Sequence, residues 1–417
     1  MDSSGTVKRV ALLALHSSPL ASIGEGNAGG MNLYVRRLAD ELCRRSIAVD
    51  VFTRRVDRHT PDIIQSQAGA RFIHLEAGPA RVLPKHVLPL HVPALSSALE
   101  DFARRERADY DVVHAHYWLS GLVALRSHVV LDAPLITMFH TLSRAKQLHA
   151  GKPDEAESAL RADGERCLIS SSDVVVGATR GELDLIQRLY GRTPREFVAI
   201  PPGVDLHRFR PRDQRESRKL LGWQDAPTIL FVGRFDPMKG LEPLMHSLAK
   251  VKTRLPYGTR LVVAGGDGHG GSRYRRLAED LGISSLIEFC GLVSPDRLPH
   301  YYDAADICVV PSVYESFGMA AVEAMACATP VVAFRVGALA TTVIDGCSGI
   351  LVEPQNTSAL GGALVHALTE SNLPELGRRA RFHVQRFSWQ RSVAATTDLY
   401  ARVAEERVCT CKSVAGA

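Results

Sequence analysis

The chain has 417 residues, of which 46% are hydrophobic and 23% charged, with a net charge of +5. That length exceeds what one hydrophobic core usually serves, so two domains are expected, and so small a charge argues against a nucleic-acid partner. Eight scattered cysteines without Cys-x-x-Cys spacing exclude a disulfide framework and a zinc site and fit a reducing, cytoplasmic compartment, and no run approaches the roughly 18 apolar residues of a membrane span.

The first apolar run, 10–15, follows Lys8-Arg9, is too short for a secretory core and ends in His16, so it reads as a strand. After it, Gly24-Glu-Gly-Asn-Ala-Gly29 matches the bare dinucleotide fingerprint, and Asp50 lies about where a ribose-binding acid would. A nicotinamide oxidoreductase would use those residues. In that fingerprint, however, the glycines leave the strand at once, whereas Ser17-Ser-Pro-Leu-Ala-Ser-Ile23 intervenes here. A longer loop ending in Gly29-Gly30 and opening a helix over 31–45 suits amides that approach a diphosphate.

Further strands are expected at 49–53, 71–75, 112–116, 135–140, 174–177 and 197–200, with amphipathic stretches between several of them. Asp109-Tyr-Asp111 mimics a metal-binding Asp-x-Asp but precedes its strand, and reads as a solvated turn. His114-Ala-His116-Tyr117 and Phe139-His140-Thr141 end two strands, where open α/β sheets bind ligands. Two histidines at i and i+2 with no third ligand nearby read as core or hydrogen-bonding residues rather than a metal site.

A Pro-rich seam, Pro201-Pro-Gly-Val-Asp-Leu-His-Arg-Phe-Arg-Pro211, leads into a second series of strands at 229–232, 261–264, 287–289, 307–310, 331–334 and 350–352. Such alternation implies parallel sheets covered on both faces, hence an α/β chain of two Rossmann-like domains facing across a cleft. The domains are expected at 1–206 and 207–386, with 387–417 forming a helix from Trp389 that returns toward the first domain. Gly233-Arg234-Phe-Asp-Pro-Met-Lys239-Gly240 places two cations near a helix entrance already favourable to anions, which suggests diphosphate. Ala264-Gly-Gly-Asp-Gly-His-Gly-Gly271 adds a flexible loop. Glu315 closes the following strand-end loop, and a helix over 316–327 opened by Ser316 carries Glu323, with seven residues between the two carboxylates. Carboxylates there accept hydrogen bonds from sugar hydroxyls while the helix N–H groups face phosphate, so one element grips both ends of a nucleotide sugar.

These marks together, Gly-Arg-(x)4-Lys, Glu315-Ser-Phe-Gly-(x)4-Glu323 and Phe-His-Thr, resemble the family 4 retaining glycosyltransferases of the two-domain B fold over nearly the whole chain. More narrowly, His16-Ser-Ser-Pro, Ala28-Gly-Gly-Met-Asn-Leu-Tyr34, Val51-Phe-Thr-Arg54, His116-Tyr-Trp-Leu-Ser-Gly121 and Pro202-Gly-Val-Asp-Leu-His-Arg-Phe209 resemble the D-inositol-3-phosphate glycosyltransferases, which transfer N-acetylglucosamine from its UDP conjugate in mycothiol biosynthesis. Sucrose-phosphate synthases share the framework, but usually carry Gly-Gln where this chain has Gly30-Met-Asn. Two departures from the pattern are Ala326-Cys-Ala-Thr-Pro330, with alanine where glycine is usual before Thr-Pro, and Gly337-Ala-Leu-Ala in place of Gly-Gly-Leu-Pro.

The resemblance implies a catalytic set of His140, Arg234, Lys239 and Glu315. Arg234 and Lys239 would neutralise the diphosphate and Glu323 would hold the ribose. Glu315 would hold sugar hydroxyls, His140 would sit near the sugar 6-hydroxyl, and the Val293 backbone would meet the base. Gly29, Gly30, Ser316, Phe317 and Gly318 complete the donor side. His16, Asn32, Lys85, Tyr117, Thr141 and Arg161 would receive a small, anionic acceptor. The reaction implied is a front-face displacement with no catalytic metal, a peripheral magnesium beside Tyr302-Asp303 remaining an option by resemblance alone. The acceptor and donor are the expected partners, and a homodimer is left open. Other readings are a transferase of aminoglycoside or lincosamide assembly, a sucrose-phosphate-synthase-like enzyme, and a non-catalytic nucleotide-sugar sensor.

Overall fold

A computed structural model of the protein describes residues 7–21, 29–149, 155–266 and 271–415. The chain divides into two compact units, Met1–Pro201 with Gln390–Ala417, and Pro202–Trp389.

The first unit is built on an eight-stranded sheet. Its strands are β1 (Arg9–Leu13), β2 (Ala48–Arg54), β3 (Ile63–Gln65), β4 (Arg71–Leu75), β5 (Val112–His116), β6 (Leu135–Met138), β7 (Val174–Gly177) and β8 (Glu196–Ala199), in the order β3-β4-β2-β1-β5-β6-β7-β8. Every pairing is parallel except β3 with β4. The continuous apolar runs arise because helices cover both faces, so that β1 and β5 through β7 bury successive side chains instead of alternating. The antiparallel β3 was not foreseen: it is a three-residue edge strand, largely exposed, and lacks the apolar run that marks the others.

Asp50 belongs to this scaffold. Its buried carboxylate accepts hydrogen bonds from Arg9, Arg71 and the Tyr110 hydroxyl at 2.7–3.1 Å. Burial alone would raise its pKa, but these partners hold it below the ordinary value. A carboxylate so occupied cannot serve as a ribose-binding acid, and the dinucleotide reading loses its anchor. The glycines of that pattern before Gly29 lie outside the described residues. Asp111 is likewise no solvated turn, since its carboxylate accepts the backbone N–H groups of Lys8 and Arg9 at 2.6 and 2.8 Å and pins the start of β1.

The second unit holds six parallel strands, β9 (Thr228–Val232), β10 (Arg260–Ala264), β11 (Ile287–Gly291), β12 (Ile307–Val310), β13 (Val331–Phe334) and β14 (Gly349–Val352), ordered β11-β10-β9-β12-β13-β14. These are two Rossmann-like domains. Among the parallel strands of each, the strand order reverses once, between β1 and β5 and between β9 and β12. Ligands of open α/β sheets bind at that reversal, outside the carboxyl ends of the strands.

The helix Trp389–Ala415 begins at the edge of the second unit and, from Gln390, belongs to the first. It is fastened there by Tyr400, whose hydroxyl lies 2.7 Å from His114 Nδ1, and by the ion pairs Arg402–Glu196 and Arg195–Glu406. Among the described residues no helix is long and apolar enough to cross a membrane. The loop 267–270 lies outside the described residues.

Candidate active site

At the reversal in the second unit, the loop after β9 carries Arg234 and Lys239. Asp236 caps a short 3-10 turn, Pro237–Lys239, by accepting the Met238 N–H at 2.9 Å. Val313 N–H donates to Met238 O at 2.9 Å, lashing this loop to the one that follows β12. Lys239 Nζ thereby reaches Glu315 Oε2 at 2.6 Å, and Ser312 Oγ donates to the same oxygen at 3.3 Å. Arg234 is more exposed and only loosely paired with Asp236, at 3.5 Å.

The helix that follows starts later than the sequence suggested. It runs Met319–Ala326, with Gly318 as N-cap at φ 90°. Ser316 and Phe317 turn into it instead of opening it, because Phe317 is buried against Phe387 with ring centroids 5.6 Å apart. A left-handed cap with no Cβ is needed here, since a Cβ on Gly318 would come within 2.6 Å of Leu339. Gly337 approaches from the next loop, so close to the Glu315 carbonyl that a Cβ would lie 2.1 Å from it. Glu323 faces inward, is 8% exposed, and accepts the Tyr302 hydroxyl at 2.9 Å. Burial pushes its pKa up to about 7, against the lowering effect of the Tyr302 hydrogen bond. Val293 lies just beyond β11, half-buried.

Tyr302 and Asp303 do not fit a magnesium site. The Tyr302 hydroxyl is committed to Glu323, and Arg212 meets one oxygen of the buried Asp303 with its backbone N–H at 3.2 Å and the other with its guanidinium at 2.9 Å. Among the described residues no group of three or more His, Cys, Asp or Glu could hold a metal ion.

At the reversal in the first unit, the candidate residues gather at the ends of β1, β5 and β6. Gly29 N–H donates to Asn32 Oδ1 at 3.0 Å, and Asn32 Nδ2 donates to Ser17 Oγ and the Ser18 carbonyl at 2.8 and 2.7 Å. Asn32, almost fully buried, therefore ties Gly29 to Ser17 and Ser18 at the start of the helix Gly30–Arg44. Tyr117 and His140 both have positive φ, 77° and 59°. Non-glycine residues held this way cost roughly 1–3 kcal/mol each and persist where the surroundings over-determine them. At His140 the cause is visible: Thr141 N–H donates to Phe139 O at 2.7 Å, closing a positive-φ γ-turn.

Arg161 is buried on the helix Glu155–Ser171. It donates to the Thr141 carbonyl at 2.5 Å and hydroxyl at 3.1 Å, and its guanidinium carbon stands 4.7 Å from the Tyr117 ring centroid. Glu165, one turn on, takes its Nε–H at 2.8 Å and also accepts from Ser143 N–H and the Tyr190 hydroxyl. His16 lies against Tyr117, ring centroids 4.0 Å apart. Burial first, then the charges of Lys85, His140, Arg161 and Lys146, lower its pKa to about 3. Lys85, itself exposed, is thus electrostatically part of this cluster.

Sequence reasoning missed Lys146 and Glu165. Their signals were slight: Lys146 follows Thr141 by five positions, and Glu165 has the i,i+4 spacing of a helical ion pair with Arg161. It left His114 and His116 as core or hydrogen-bonding residues, and both are buried, bonded to Tyr400 and His140 respectively.

Comparison with known proteins matches each of the two halves to a glycosyltransferase family model. Residues 28–208 match Glycosyltransferase Family 4 and residues 213–381 match Glycosyl transferases group 1. The D-inositol 3-phosphate glycosyltransferase of Geodermatophilus obscurus is 40% identical, covering 97% of this chain and 91% of its own. That of Acidothermus cellulolyticus is 39% identical, covering 96% and 92%. Among solved structures, sucrose-phosphate synthase from Thermosynechococcus elongatus aligns with a TM-score of 0.87 at 32% identity, over 95% of this chain and 99% of that one. HepE from Anabaena, solved in complex with UDP-glucose, shares the fold alone, with a TM-score of 0.72 at 18% identity over 95% and 99%.

Proposed function

The chain belongs to the family 4 glycosyltransferases of the two-domain B fold, and from that membership we propose that it transfers N-acetylglucosamine from UDP-N-acetylglucosamine to 1D-myo-inositol 3-phosphate with retention of configuration. The observation that carries this reading is the 40% identity to a D-inositol 3-phosphate glycosyltransferase across 97% of the chain. The cationic cluster of Lys85, Lys146 and Arg161 around His16 suits an acceptor bearing phosphate.

In this reading Arg234 and Lys239 meet the donor diphosphate, with the amides at Gly29, Gly30 and the Gly318 helix start. Glu323 accepts from the ribose, the Val293 backbone meets the base, and Glu315, with Ser316 and Phe317 shaping its loop, takes sugar hydroxyls. His140 contacts the sugar. His16, Tyr117, Thr141, Lys85 and Arg161 surround the acceptor, and Asn32 supports it through the glycine loop. Departure of the nucleoside diphosphate puts negative charge on its terminal phosphate, where fixed cations stabilise the transition state more than the ground state. The C–O bond to the leaving phosphate breaks as the acceptor oxygen attacks the same face, and the acceptor proton passes to the departing phosphate oxygen. The protein's own cations supply the charge, so this step calls for no metal.

A second reading has its own support, the sucrose-phosphate synthase likeness at 32% identity over 95% of the chain. The two are separated by measuring thermal shifts with UDP-, GDP- and ADP-sugars, then transfer to inositol 3-phosphate, free inositol and hexose phosphates. Preference for inositol 3-phosphate with UDP-N-acetylglucosamine supports the first reading. Preference for a hexose phosphate with a nucleotide glucose supports the second.

A further inference from the structure

Four buried groups, His116, His114, Tyr400 and Tyr34, stand in a connected cluster behind His140. His116, fully buried at the end of β5, places Nδ1 3.0 Å from His140 Nε2. The His114 ring lies against His116 with centroids 4.2 Å apart, and its own Nδ1 is 2.7 Å from the Tyr400 hydroxyl on the returning C-terminal helix. Tyr34, one turn into the helix after the glycine loop, presents its edge to both His116 and His140, at 5.7 and 5.4 Å. His140 alone of the pair keeps part of its surface exposed, and its backbone is held in the positive-φ γ-turn. His116 therefore stands behind His140 and cannot itself meet a ligand.

The protonation of the pair follows from what surrounds His116. Its Nε2 is buried and has no hydrogen-bond partner. A buried N–H left unpaired is costlier and rarer than a buried lone pair left unpaired. The proton of His116 thus belongs on Nδ1, where it has a partner. With both rings neutral, as burial dictates, His116 Nδ1–H donates to His140 Nε2 and His140 must carry its own proton on Nδ1.

We propose that His116 is a positioning residue that locks the His140 imidazole in the Nδ1–H tautomer and in one orientation, so that His140 meets a sugar hydroxyl as a neutral N–H donor and not as an acid or base. The proposal rests on the glycosyltransferase reading for its functional half only. The tautomer itself is a property of the protein without substrate.

The test labels histidine nitrogens and records long-range proton–nitrogen correlation spectra of the wild-type protein, with His140→Gln identifying the His140 signals. The expected spectrum shows His140 protonated at Nδ1 and bare at Nε2. His116→Phe keeps a ring in the space but removes the donor. It should lose that tautomer preference and lower kcat roughly 10- to 100-fold, as loss of a partner that fixes a functional histidine typically does, with little change in KM. His116→Asn returns an N–H donor and should recover part of both. Folding of each variant is checked by thermal unfolding, and the wild-type spectrum decides the tautomer if either fails to fold. A wild-type His140 protonated at Nε2 overturns the proposal, as does a folded His116→Phe that keeps the Nδ1–H tautomer and the wild-type kcat. If the wild type transfers to no acceptor, the functional reading fails while the spectrum still decides the inference.

Discussion

Lys239 Nζ lies 2.6 Å from Glu315 Oε2, so the cation assigned to the donor diphosphate is held, without donor, by the carboxylate assigned to the transferred sugar. The pair bridges the loops after β9 and β12, the two strands at which the sheet order reverses. A donor bound as proposed would compete with Glu315 for the ammonium and with Lys239 for the carboxylate. Lys239→Ala should cut turnover by about 10²-fold or more, the usual effect of losing one preorganised electrostatic partner. Glu315→Gln should also impair transfer, and the double variant should fall short of the product of the two losses because the residues share one contact. Steady-state kinetics on the four proteins checks this. Activity of Lys239→Ala within about threefold of wild type removes it from the transition state.

If Glu323 holds the ribose as proposed, donor binding should be pH-dependent. Burial raises its pKa from 4.5 to about 7, so without donor the folded protein binds this proton more tightly than the unfolded chain does. Its contribution to stability consequently falls as pH rises through that window. Ribose hydroxyls donating to the carboxylate favour its ionised form, so donor binding should release a proton near neutrality and tighten as pH rises toward 8. Calorimetry of UDP binding in buffers of different ionisation enthalpy reads the proton directly. Glu323→Gln should abolish the release, and an unchanged release in that variant would assign it elsewhere.

Arg161 and Glu165 form a buried pair, and this changes how Arg161 must be tested. Arg161→Ala removes the charge that balances the buried Glu165 carboxylate, which keeps its hydrogen bonds from Ser143 N–H and the Tyr190 hydroxyl, and should cost stability of about 3–5 kcal/mol. A raised acceptor KM in that variant alone would be ambiguous. Arg161→Met combined with Glu165→Gln removes both charges and should recover much of the stability. If Arg161 binds acceptor phosphate, the double variant still shows an apparent acceptor KM about tenfold or more higher, since a charge-assisted contact is worth roughly 1.5–3 kcal/mol. Recovery of both stability and KM would make the pair purely structural.

Ala328 sits in the left-handed region at φ 60°, at the position where glycine is usual in this family. The left-handed conformation costs an L-residue roughly 1–2 kcal/mol, partly offset by the lower unfolded-state entropy of alanine. Ala328→Gly should therefore stabilise the protein by about 0.5–1 kcal/mol, visible as a higher Tm. A lower Tm would show that the local packing uses this methyl group.

The parallel strands were legible because a strand buried on both faces leaves a continuous apolar run, and β4, β5, β7, β12 and β13 have the expected boundaries. The edge strand Ile63–Gln65 leaves no such run. The helix start at Met319 was misplaced because Ser316 is a good cap in isolation, while the burial of Phe317 and the left-handed Gly318 are decided by tertiary contacts. Asp50 looked like a ribose acid at the right spacing, and only the fold reveals Arg9, Arg71 and Tyr110 around it. The motif residues of the candidate site could be named from the chain. Their supporting partners could not, because Glu165 under Arg161 and His116 behind His140 acquire their roles from strands and helices that meet only on folding.

The proposed transfer is tested most directly by its product. Wild-type protein, UDP-N-acetylglucosamine and inositol 3-phosphate are incubated, and the new anomeric proton is observed by NMR. The expected product is an α-linked N-acetylglucosaminyl inositol phosphate, formed faster than any product of free inositol. A β-linkage would contradict retention, and transfer only to a neutral or carboxylate-bearing acceptor would contradict the inositol phosphate assignment.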